Sequence, residues 1–258
     1  MVIKEVKAID EREPVVAFTL VRFPQQERWY AMTGLGIHRP RLWYVPGLRF
    51  WRLLGVGQGQ VFSPKMDMHR TALFTVWDSW ADLKRFEMES TLFAALRSRA
   101  AEMWTVHMQP VCWHGEWGGR DPLSGFAAAF QSEQDPWIIL TRATIRPLKL
   151  FAFLHAVPAI SAYLLQQEAL INSVGIGELP LFYQATLSIW RNLPDAKSFA
   201  YGATPHQEAI RRTREEGWFL NELFARFRPI ASYGTWDGVD PLATEPRSAR
   251  QPATNDIV

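Results

Sequence analysis

The sequence contains a single cysteine and almost no excess of charge. Cys112 has no second cysteine to pair with, so no internal disulfide can form, and a cytoplasmic location is the expectation. Lysine and arginine number 28 against 26 acidic residues, which leaves a net charge of +2. No basic block stands out, so the chain is not expected to bind nucleic acid.

The motifs of several common enzyme classes are also missing. The sequence has no P-loop, no serine in a Gly-x-Ser-x-Gly turn, and no close acidic pair with metal-ligand spacing. The glycine-rich segment 55–59 leads into a loop rather than a helix, which argues against a dinucleotide site. The usual signatures of nucleotide hydrolases, dehydrogenases and serine hydrolases are therefore excluded.

No long hydrophobic run is free of polar residues or proline. The most apolar window, residues 148–165, carries Lys149, His155 and Pro158, and is predicted to be too short and too broken to span a membrane. The last residues, 243–258, are rich in Pro, Ser, Thr and charge and are predicted to form a disordered tail.

An internal repeat is the most informative feature that is present. The frame Gly-x-Trp-x-Gly-x-Asp-Pro-Leu occurs within residues 114–123 and again within residues 233–242. Upstream, residues 73–79 align with residues 186–192, which places Ser79 opposite Asn192. Both side chains favour the N-cap of a helix. A duplication of about half the chain is therefore indicated.

Each half is predicted to run β-α-β-β-α-β, with one long helix over 79–104 in the first half and one over 192–226 in the second. This order predicts an α+β fold of two fused ferredoxin-like repeats, residues 14–123 and 136–242. Their sheets would face each other, as in a dimeric α+β-barrel formed within one chain. The twelve Trp and sixteen Phe suit both a large core and an apolar pocket.

The two halves differ at one position that could carry chemistry. At the shift that aligns Ser79 with Asn192, the apolar Phe93 becomes His206. The Thr-Pro-His-Gln sequence at 204–207 predicts a capped first helical turn. Ala209 and Thr213 share a helix face with His206 and leave room for a flat ligand. A core histidine bonded to a backbone carbonyl is the competing interpretation.

Five segments of the sequence have a distinctive wording. They are Gly-Leu-Arg-Phe-Trp-Arg-Leu-Leu-Gly at 47–55, Leu-Thr-Arg-Ala-Thr-Ile-Arg-Pro at 140–147, Gly-Ile-Gly-Glu-Leu-Pro at 175–180, Pro-His-x-x-Ala-Ile at 205–210 and Glu-Gly-Trp-Phe at 216–219. These segments resemble those of the spheroidene monooxygenase family, the acyclic carotenoid ketolases. The resemblance covers about residues 15–242, nearly the whole chain.

The resemblance implies a haem-dependent monooxygenase with haem b in the second repeat. Such an enzyme uses O₂ and an unidentified electron donor to convert a CH₂ group of a small, apolar, carotenoid-like substrate to a ketone by two hydroxylations. Because that substrate dissolves in membranes, a transient contact with a membrane surface is expected, and the chain would be cytoplasmic or peripheral to the membrane. Self-association is compatible with the sequence.

The resemblance also implies roles for individual residues. His206 would be the axial ligand of the haem iron, with His155 as the second choice, and Ala209 and Thr213 would let the porphyrin approach the helix. The haem propionates need cations, for which the candidates are Arg142, Arg146 and Arg49. The candidate pocket residues are Phe50, Trp51, Tyr201 and Trp218. Surface ion pairs for the arginines and core packing for the aromatic rings are the competing interpretations.

A second observation favours Arg142 over the other two arginines as a ligand-binding residue. Strand alternation over 138–142 places it on the same face as two apolar residues, so its charge needs a partner there.

Two other functions fit the same patterns. One is a haem-dependent dehydratase or lyase of the aldoxime dehydratase type, and the other is a non-enzymatic barrel that binds haem or lipid. No motif identifies a distal haem residue.

Overall fold

The computed structural model describes residues 10–60, 63, 65–178, 183–202 and 205–243. The first repeat contains β1 (Val15–Arg22), α1 (Arg28–Ile37), β2 (Leu48–Gly57), β3 (Met66–Trp77), α2 (Trp80–Glu89), α3 (Thr91–Arg99) and β4 (Glu102–Gly115). The second repeat contains β5 (Trp137–Ile145), α4 (Leu150–Leu165), β6 (Leu170–Gly177), β7 (Tyr183–Trp190), α5 (Leu193–Tyr201), α6 (Pro205–Glu216) and β8 (Phe219–Gly234).

The eight strands close into one antiparallel barrel in the order β1-β3-β2-β6-β7-β5-β8-β4. Two seams join the repeats: β4 pairs with β8 along most of its length, and β2 pairs with β6 through Gly55–Gly177 and Val56–Ile176. The predicted α+β fold of two ferredoxin-like repeats is therefore confirmed. The repeat boundaries at 14–123 and 136–242 stay predictions, and residues 244–258 of the predicted tail lie outside the described residues.

Strand alternation separates the core into an inner and an outer part. Phe18 of β1 and Leu140 of β5 point into the barrel, where residues of both repeats form one apolar cluster. Ala17 and Ile139, one position earlier, face the helices outside the barrel. Each helix layer thus packs on the outer face of its own repeat.

The helix starts are those that the sequence predicts, but the helix ends are not. The Oγ of Ser79 accepts a hydrogen bond from the backbone N–H of Asp82 (3.1 Å), and the Oδ1 of Asn192 accepts one from Asp195 (2.9 Å). The prediction of single helices over 79–104 and 192–226 is wrong. Ser90 has extended backbone torsions and begins a second helix, and β8 already starts at Phe219.

Both copies of the repeated motif form the same turn. The Asp of Asp-Pro-Leu accepts a hydrogen bond from the backbone N–H of the Leu two residues later, at 2.9 Å for Asp121 and 3.0 Å for Asp240. Trp117 is buried against Phe50 and Phe74, and Trp236 is buried against Trp104. Each copy therefore inserts one indole ring into the core that both repeats share.

Helix α4 departs from expectation in a different way. Pro158 lies inside it without ending it, so the apolar window is not broken. Together with the short 3₁₀ turn before it, the helix runs from Pro147 to Leu165 and is long and apolar enough to cross a membrane, although only 11% of this segment is buried in the protein. The prediction that this window is too short and too broken for a span is therefore wrong as an argument from length and composition.

Candidate functional site

The outer face of the first-repeat sheet is sealed by its helices. The residues Thr19, Leu73 and Leu53 pair across β1, β3 and β2 and form what is called here the first-repeat row. All three are buried. Helix α1 packs on β3 and β2 above them, with Ala31 and Gly34 buried in the contact.

The corresponding row of the second repeat has small side chains. Thr141, Thr186 and Gly175 pair across β5, β7 and β6 in the same register and form the second-repeat row. Thr186 stands where the first repeat has a leucine, and so does Gly175. Thr141 and Thr186 are only half-buried. This sheet face is therefore flat and lacks the leucines that fill the space under α1.

The positions on either side of the second-repeat row also carry smaller side chains than their counterparts in the first repeat. Next to Gly175 on β6 lies the buried Ser173, at the place that Trp51 occupies on β2. At the other side of the row, Ala143 of β5 replaces Val21 of β1. The hydroxyl of Ser173 has less than 1 Å² of exposed surface and no hydrogen-bond partner among the described residues. Such a group is expected next to a ligand or water.

Helix α4 does not seal this face. Of its sixteen residues only Leu164 is buried. Its C-terminal end packs on α5, where Tyr163 stacks on Phe199 with 5.6 Å between ring centroids. Its other neighbours are α6 and, through Phe153, the ring of Phe219 at the start of β8 (6.3 Å). The layer of α4, α5 and α6 is therefore packed on the sheet at one end and loosely held at the other.

Helix α6 crosses this loosely held part of the layer. It begins at Pro205, as the capping pattern predicts, and packs on α4 and α5. His206 therefore lies in its first turn, while the side chains of His206 and Ala209 and the predicted cap Thr204 lie outside the described residues. Thr213 is half-buried, and its carbonyl accepts a hydrogen bond from the backbone N–H of Trp218 (3.1 Å) just after the helix ends.

The last turn of α6 meets the start of α4 in a polar cluster. The indole Nε1 of the buried Trp218 donates to Glu216 (2.9 Å), and the backbone N–H of Arg146 donates to the Trp218 carbonyl (2.8 Å). The hydrogen bonds from Trp218 and Arg212 hold the pKa of Glu216 below its ordinary value. A cleft of about 400 Å³ opens here, lined by Arg146, Pro147, Leu148, Lys149, Glu216, Gly217 and Leu220.

Tyr201, a predicted pocket residue, is also on this repeat. It ends α5, is 60% exposed, and its hydroxyl accepts a hydrogen bond from Arg226 (3.4 Å). The structure thus places Arg146 and Trp218 next to the last turn of α6, and Tyr201 on the same side of the second repeat, next to Arg226.

Arg142 lies on the other face of the same sheet. It is 2% exposed and points into the barrel with Ile138 and Leu140, as strand alternation predicts. Inside the barrel it donates a hydrogen bond to Asn221 and lies over the ring of Trp117, 5.9 Å from the centroid. The sheet itself lies between Arg142 and the helices of the second repeat. The role of Arg142 at a haem propionate stays a prediction.

Three further predicted residues belong to the first repeat. Phe50 is buried inside the barrel, and Trp51 packs with the first-repeat helices, beneath the guanidinium of Arg39 (6.0 Å to the ring centroid). Arg49 forms an ion pair with Asp78. Their contacts are made with the first repeat and the shared core, and the structure does not bring them to α6.

The sequence patterns above do not predict the second-repeat row. A signal was present, because aligning the strands of the two repeats shows leucine replaced by threonine on β7. The Gly-x-Gly echo between β2 and β6 hid the other replacement. It aligns Gly55 with Gly175, whereas the strand pairing gives Gly175 the position that Leu53 holds in the first repeat: Gly175 pairs with Thr186 as Leu53 pairs with Leu73. A bulge in each strand shifts the pairing, and no sequence pattern reveals it.

No cluster of three His, Cys, Asp or Glu side chains that could hold a bare metal ion occurs among the described residues.

Comparison with known proteins relates the chain to two groups. No family model matches it. It is 38% identical over 233 residues to the spheroidene monooxygenase of Rhodobacter capsulatus, covering 90% of this chain and 97% of that protein. It is 34% identical over 244 residues to the spheroidene monooxygenase of Cereibacter sphaeroides, covering 92% of this chain and 75% of that one.

Among solved structures, the chain is similar to aldoxime dehydratases. The structure of the aldoxime dehydratase OxdRE in complex with butyraldoxime matches with a TM-score of 0.55 and 12% identity over 85% of this chain and 80% of that chain. A second aldoxime dehydratase structure matches with a TM-score of 0.55 and 11% identity, covering 86% of this chain and 83% of that one. At this level of identity the likeness shows a shared fold.

Proposed function

The chain belongs to the spheroidene monooxygenase family, and we propose that it uses haem b and O₂ to convert a CH₂ group of a linear, carotenoid-like substrate to a ketone. Membership of this family supports a role as an oxygenase. The identity of the substrate, the haem and the two-step reaction are the parts that we propose.

The unsealed second-repeat row carries the proposal. Thr141, Thr186 and Gly175 give one repeat a flat sheet face beneath a helix layer that packs on the sheet at one end only. In the first repeat the same face is filled by leucines. Because Thr141 and Thr186 stay half-buried, this face of the second repeat is suited to a large flat ligand. A porphyrin has the required shape.

The residues on the helix side of the second repeat fit a haem group. His206, in the first turn of α6, would ligate the iron through one ring nitrogen, while Thr213 on the same helix face is small enough for the porphyrin to approach. Arg146 and Lys149 at the open end of the layer would neutralise the propionates. When bound, the haem supplies the binding and activation of O₂.

The protein's own residues bind and orient the substrate. Phe153, Val157 and Ile160 lie on the side of α4 that faces the protein and are half-buried. They offer apolar contacts along the length of a polyene chain and exclude water from the reacting carbon. Each of the two hydroxylations consumes one O₂, two electrons and two protons and releases one water. The second hydroxylation gives a gem-diol, which loses water to form the ketone.

Haem binding is tested first. Protein expressed with haem supplementation should be red-brown with a Soret band, and His206→Ala should lose the haem on gel filtration. His155→Ala is the matched control, because His155 is exposed on α4 and its loss should leave the spectrum unchanged. If haem stays with His206→Ala and leaves with His155→Ala, the ligand assignment is wrong. A wild-type protein that stays colourless would refute the proposal that the protein binds haem.

Product analysis tests the reaction. The holoprotein, supplied with a linear carotenoid, a reductant and ¹⁸O₂, should yield a ketone that carries the label. The fold likeness to aldoxime dehydratases makes a dehydratase the second candidate, which would turn over an aldoxime without consuming O₂. A holoprotein that converts neither substrate would be a haem-binding barrel without oxygenase activity.

A further inference from the structure

One side of α4 presents an apolar stripe to solvent. The stripe follows the helix at spacings of three and four residues and is called here the α4 outer stripe. Its members are Leu148, Phe151, His155, Pro158, Ala162 and Leu165. Leu148 is 96% exposed and Phe151 is 82% exposed, values that are unusual for large apolar side chains.

The charged residues of the segment that carries the stripe are of one sign. Residues 146–165 contain two cations, Arg146 and Lys149, and no acidic residue. Both cations lie at the end of the stripe that begins with Leu148, and Arg146 is exposed. Lys149 is 3.7 Å from Glu216, an exposed contact that a competing anion can replace. An apolar surface with basic residues at its edge matches an anionic lipid interface.

We propose that α4 docks the protein on an anionic lipid bilayer, with the helix in the plane of the interface and the α4 outer stripe in contact with the acyl chains. The helix is about 24 Å long, which is enough for several lipid contacts along its length.

The connections of α4 exclude a transmembrane orientation. On its N-terminal side Ile145 ends β5 paired with Phe219, and on its C-terminal side Leu170 begins β6 paired with Trp190. Both strands belong to the same closed barrel, and the helix runs back along its outside. The helix could cross a bilayer only if the barrel entered the bilayer with it, so a position in the interface is the one that the connections allow.

A second copy of the chain fits this surface less well. A single helix about 24 Å long and 10 Å wide offers about 240 Å², whereas a stable dimer buries about 800 Å² on each partner. Lipid molecules need no complementary protein face.

The first repeat also exposes apolar side chains, but they are interrupted by charge. Trp43 and Tyr44 follow Arg39 and Arg41, and Trp29 lies under the guanidinium of Arg28. Among the described residues of this part of the first repeat, the exposed rings therefore alternate with cations and form no uncharged stripe. This patch nevertheless provides the matched control for the experiment.

The inference rests on the proposed function for its purpose. The stripe and the half-buried inner residues Phe153, Val157 and Ile160 lie on opposite sides of one helix, so docking would place the second-repeat row next to the bilayer that holds an apolar substrate. Binding to lipid can nevertheless be measured without catalysis.

Co-flotation with vesicles tests the docking. Wild-type protein should float with vesicles of phosphatidylcholine and phosphatidylglycerol at about a 2:1 ratio, and less with phosphatidylcholine alone. The double variant Leu148→Glu, Phe151→Glu should reduce the bound fraction about tenfold. The control variant Trp43→Glu, Tyr44→Glu should bind as wild type does. Thermal unfolding and the Soret band of each variant verify that the fold is intact.

A fluorescent label locates the contact independently. The single Cys112 can be replaced by Ser, and a cysteine introduced at Phe151 or at Tyr44 can carry an environment-sensitive dye. The dye at position 151 should shift to the blue on adding anionic vesicles, and the dye at position 44 should not. The opposite pattern, or loss of flotation only in the Trp43→Glu, Tyr44→Glu variant, would overturn the proposal.

The outcomes separate docking from the proposed function. His206→Ala protein without haem should still float, because α4 does not depend on the iron ligand. Protein that forms the ketone from detergent-dispersed carotenoid but never floats would refute docking and leave the oxygenase intact. Protein that floats through α4 but forms no ketone would support docking and refute the oxygenase. A sedimentation coefficient that drops from dimer to monomer in the Leu148→Glu, Phe151→Glu variant would show that the stripe binds a second copy instead.

Discussion

Thr19, Leu73 and Leu53 are buried beneath α1, whereas their counterparts Thr141, Thr186 and Gly175 are covered only loosely by α4. The strand pairing is the same in both repeats, so the backbone does not cause the difference. The side chains on one face of one sheet do. A duplicated fold can therefore keep its barrel and its closing turns while one copy gives up helix packing and becomes able to hold a ligand.

The two repeats are more alike inside the barrel than on their outer sheet faces. Phe18 and Leu140 occupy matching positions in one apolar cluster, and the two repeated Trp residues are both buried. The repeats thus diverge on their outer faces, where each has its own helix layer. Inside the barrel they share one apolar cluster, although Arg142 stands at the position of Leu20.

The largest expected effect comes from restoring leucine to the second-repeat row. Gly175→Leu with Thr186→Leu should fill the space under α4 and abolish haem retention and oxygenase activity, while the protein stays folded because apolar burial increases. The Soret band per mole of protein and the melting temperature measure the two outcomes. Haem retained at the wild-type level would place the binding site elsewhere.

The matched control makes the reverse change in the first repeat. Leu73→Thr should lower the free energy of unfolding by about 2–3 kcal/mol, because it empties a sealed core. It should not create a second haem site, since the first repeat has Phe93 where the second has His206.

Substitution of two equivalent glycines by alanine should destabilise the protein equally, because both repeats need the same turn. Gly115 and Gly234 have φ angles of +97° and +80°, and an added Cβ would lie 2.0 Å from a carbonyl oxygen in each case. Gly115→Ala and Gly234→Ala should each lower the free energy of unfolding by about 3 kcal/mol or more, as measured by urea denaturation. A large difference between the two would show that the turns are not equivalent in energy.

Arg142 provides a test of charge against volume inside the barrel. Its counterpart in the first repeat is Leu20, also buried. Arg142→Leu should change the free energy of unfolding by less than about 1 kcal/mol, since an apolar side chain can replace a buried charge of similar size. Arg142→Ala should lower it by about 2–3 kcal/mol because it leaves a cavity. Equal losses would show that the guanidinium itself is needed.

The smallest expected effect concerns the ionisation of Glu102. Burial would raise its pKa, but hydrogen bonds from Gly238, Arg22 and Thr235 outweigh burial and hold the pKa below its ordinary value. Such a carboxylate stabilises the fold above its unfolded-state pKa of about 4.3, and this contribution is lost as the pH falls through the lower folded-state value. Glu102→Gln should therefore cost about 1 kcal/mol at pH 7 and progressively less below about pH 4.

The counterpart of Glu102 in the second repeat gives the control. Asn221 bonds to Arg142 and Thr144 and carries no titratable group. The loss in free energy of unfolding caused by Asn221→Ala should therefore stay the same at acid pH. If it becomes smaller below about pH 4, as expected for Glu102→Gln, the pH effect of Glu102→Gln does not come from the Glu102 carboxylate.

Sequence patterns predicted the parts of the site that depend on short-range chemistry. The helix starts at Ser79, Asn192 and Pro205 follow from side chains that bond to the adjacent turn, and that interaction is complete within four residues. Strand alternation likewise placed Arg142 on the same face as Ile138 and Leu140. It could not show that Arg49, Phe50 and Trp51 lie with the first repeat and the shared core, because contact between repeats depends on the order of strands in the barrel.

The sequence by itself determined that the chain is a duplication, that each half is a ferredoxin-like repeat, and that the second half alone carries histidine where the first has Phe93. These conclusions need only periodicity, caps and self-comparison. The tertiary structure decided which side of the sheet Arg142 faces relative to α6, that Gly175 rather than Ser173 stands opposite Thr186, and that α4 leaves its apolar outer stripe in solvent. Register and packing are set by bulges and by contacts between residues far apart in sequence, which leave no local pattern to read.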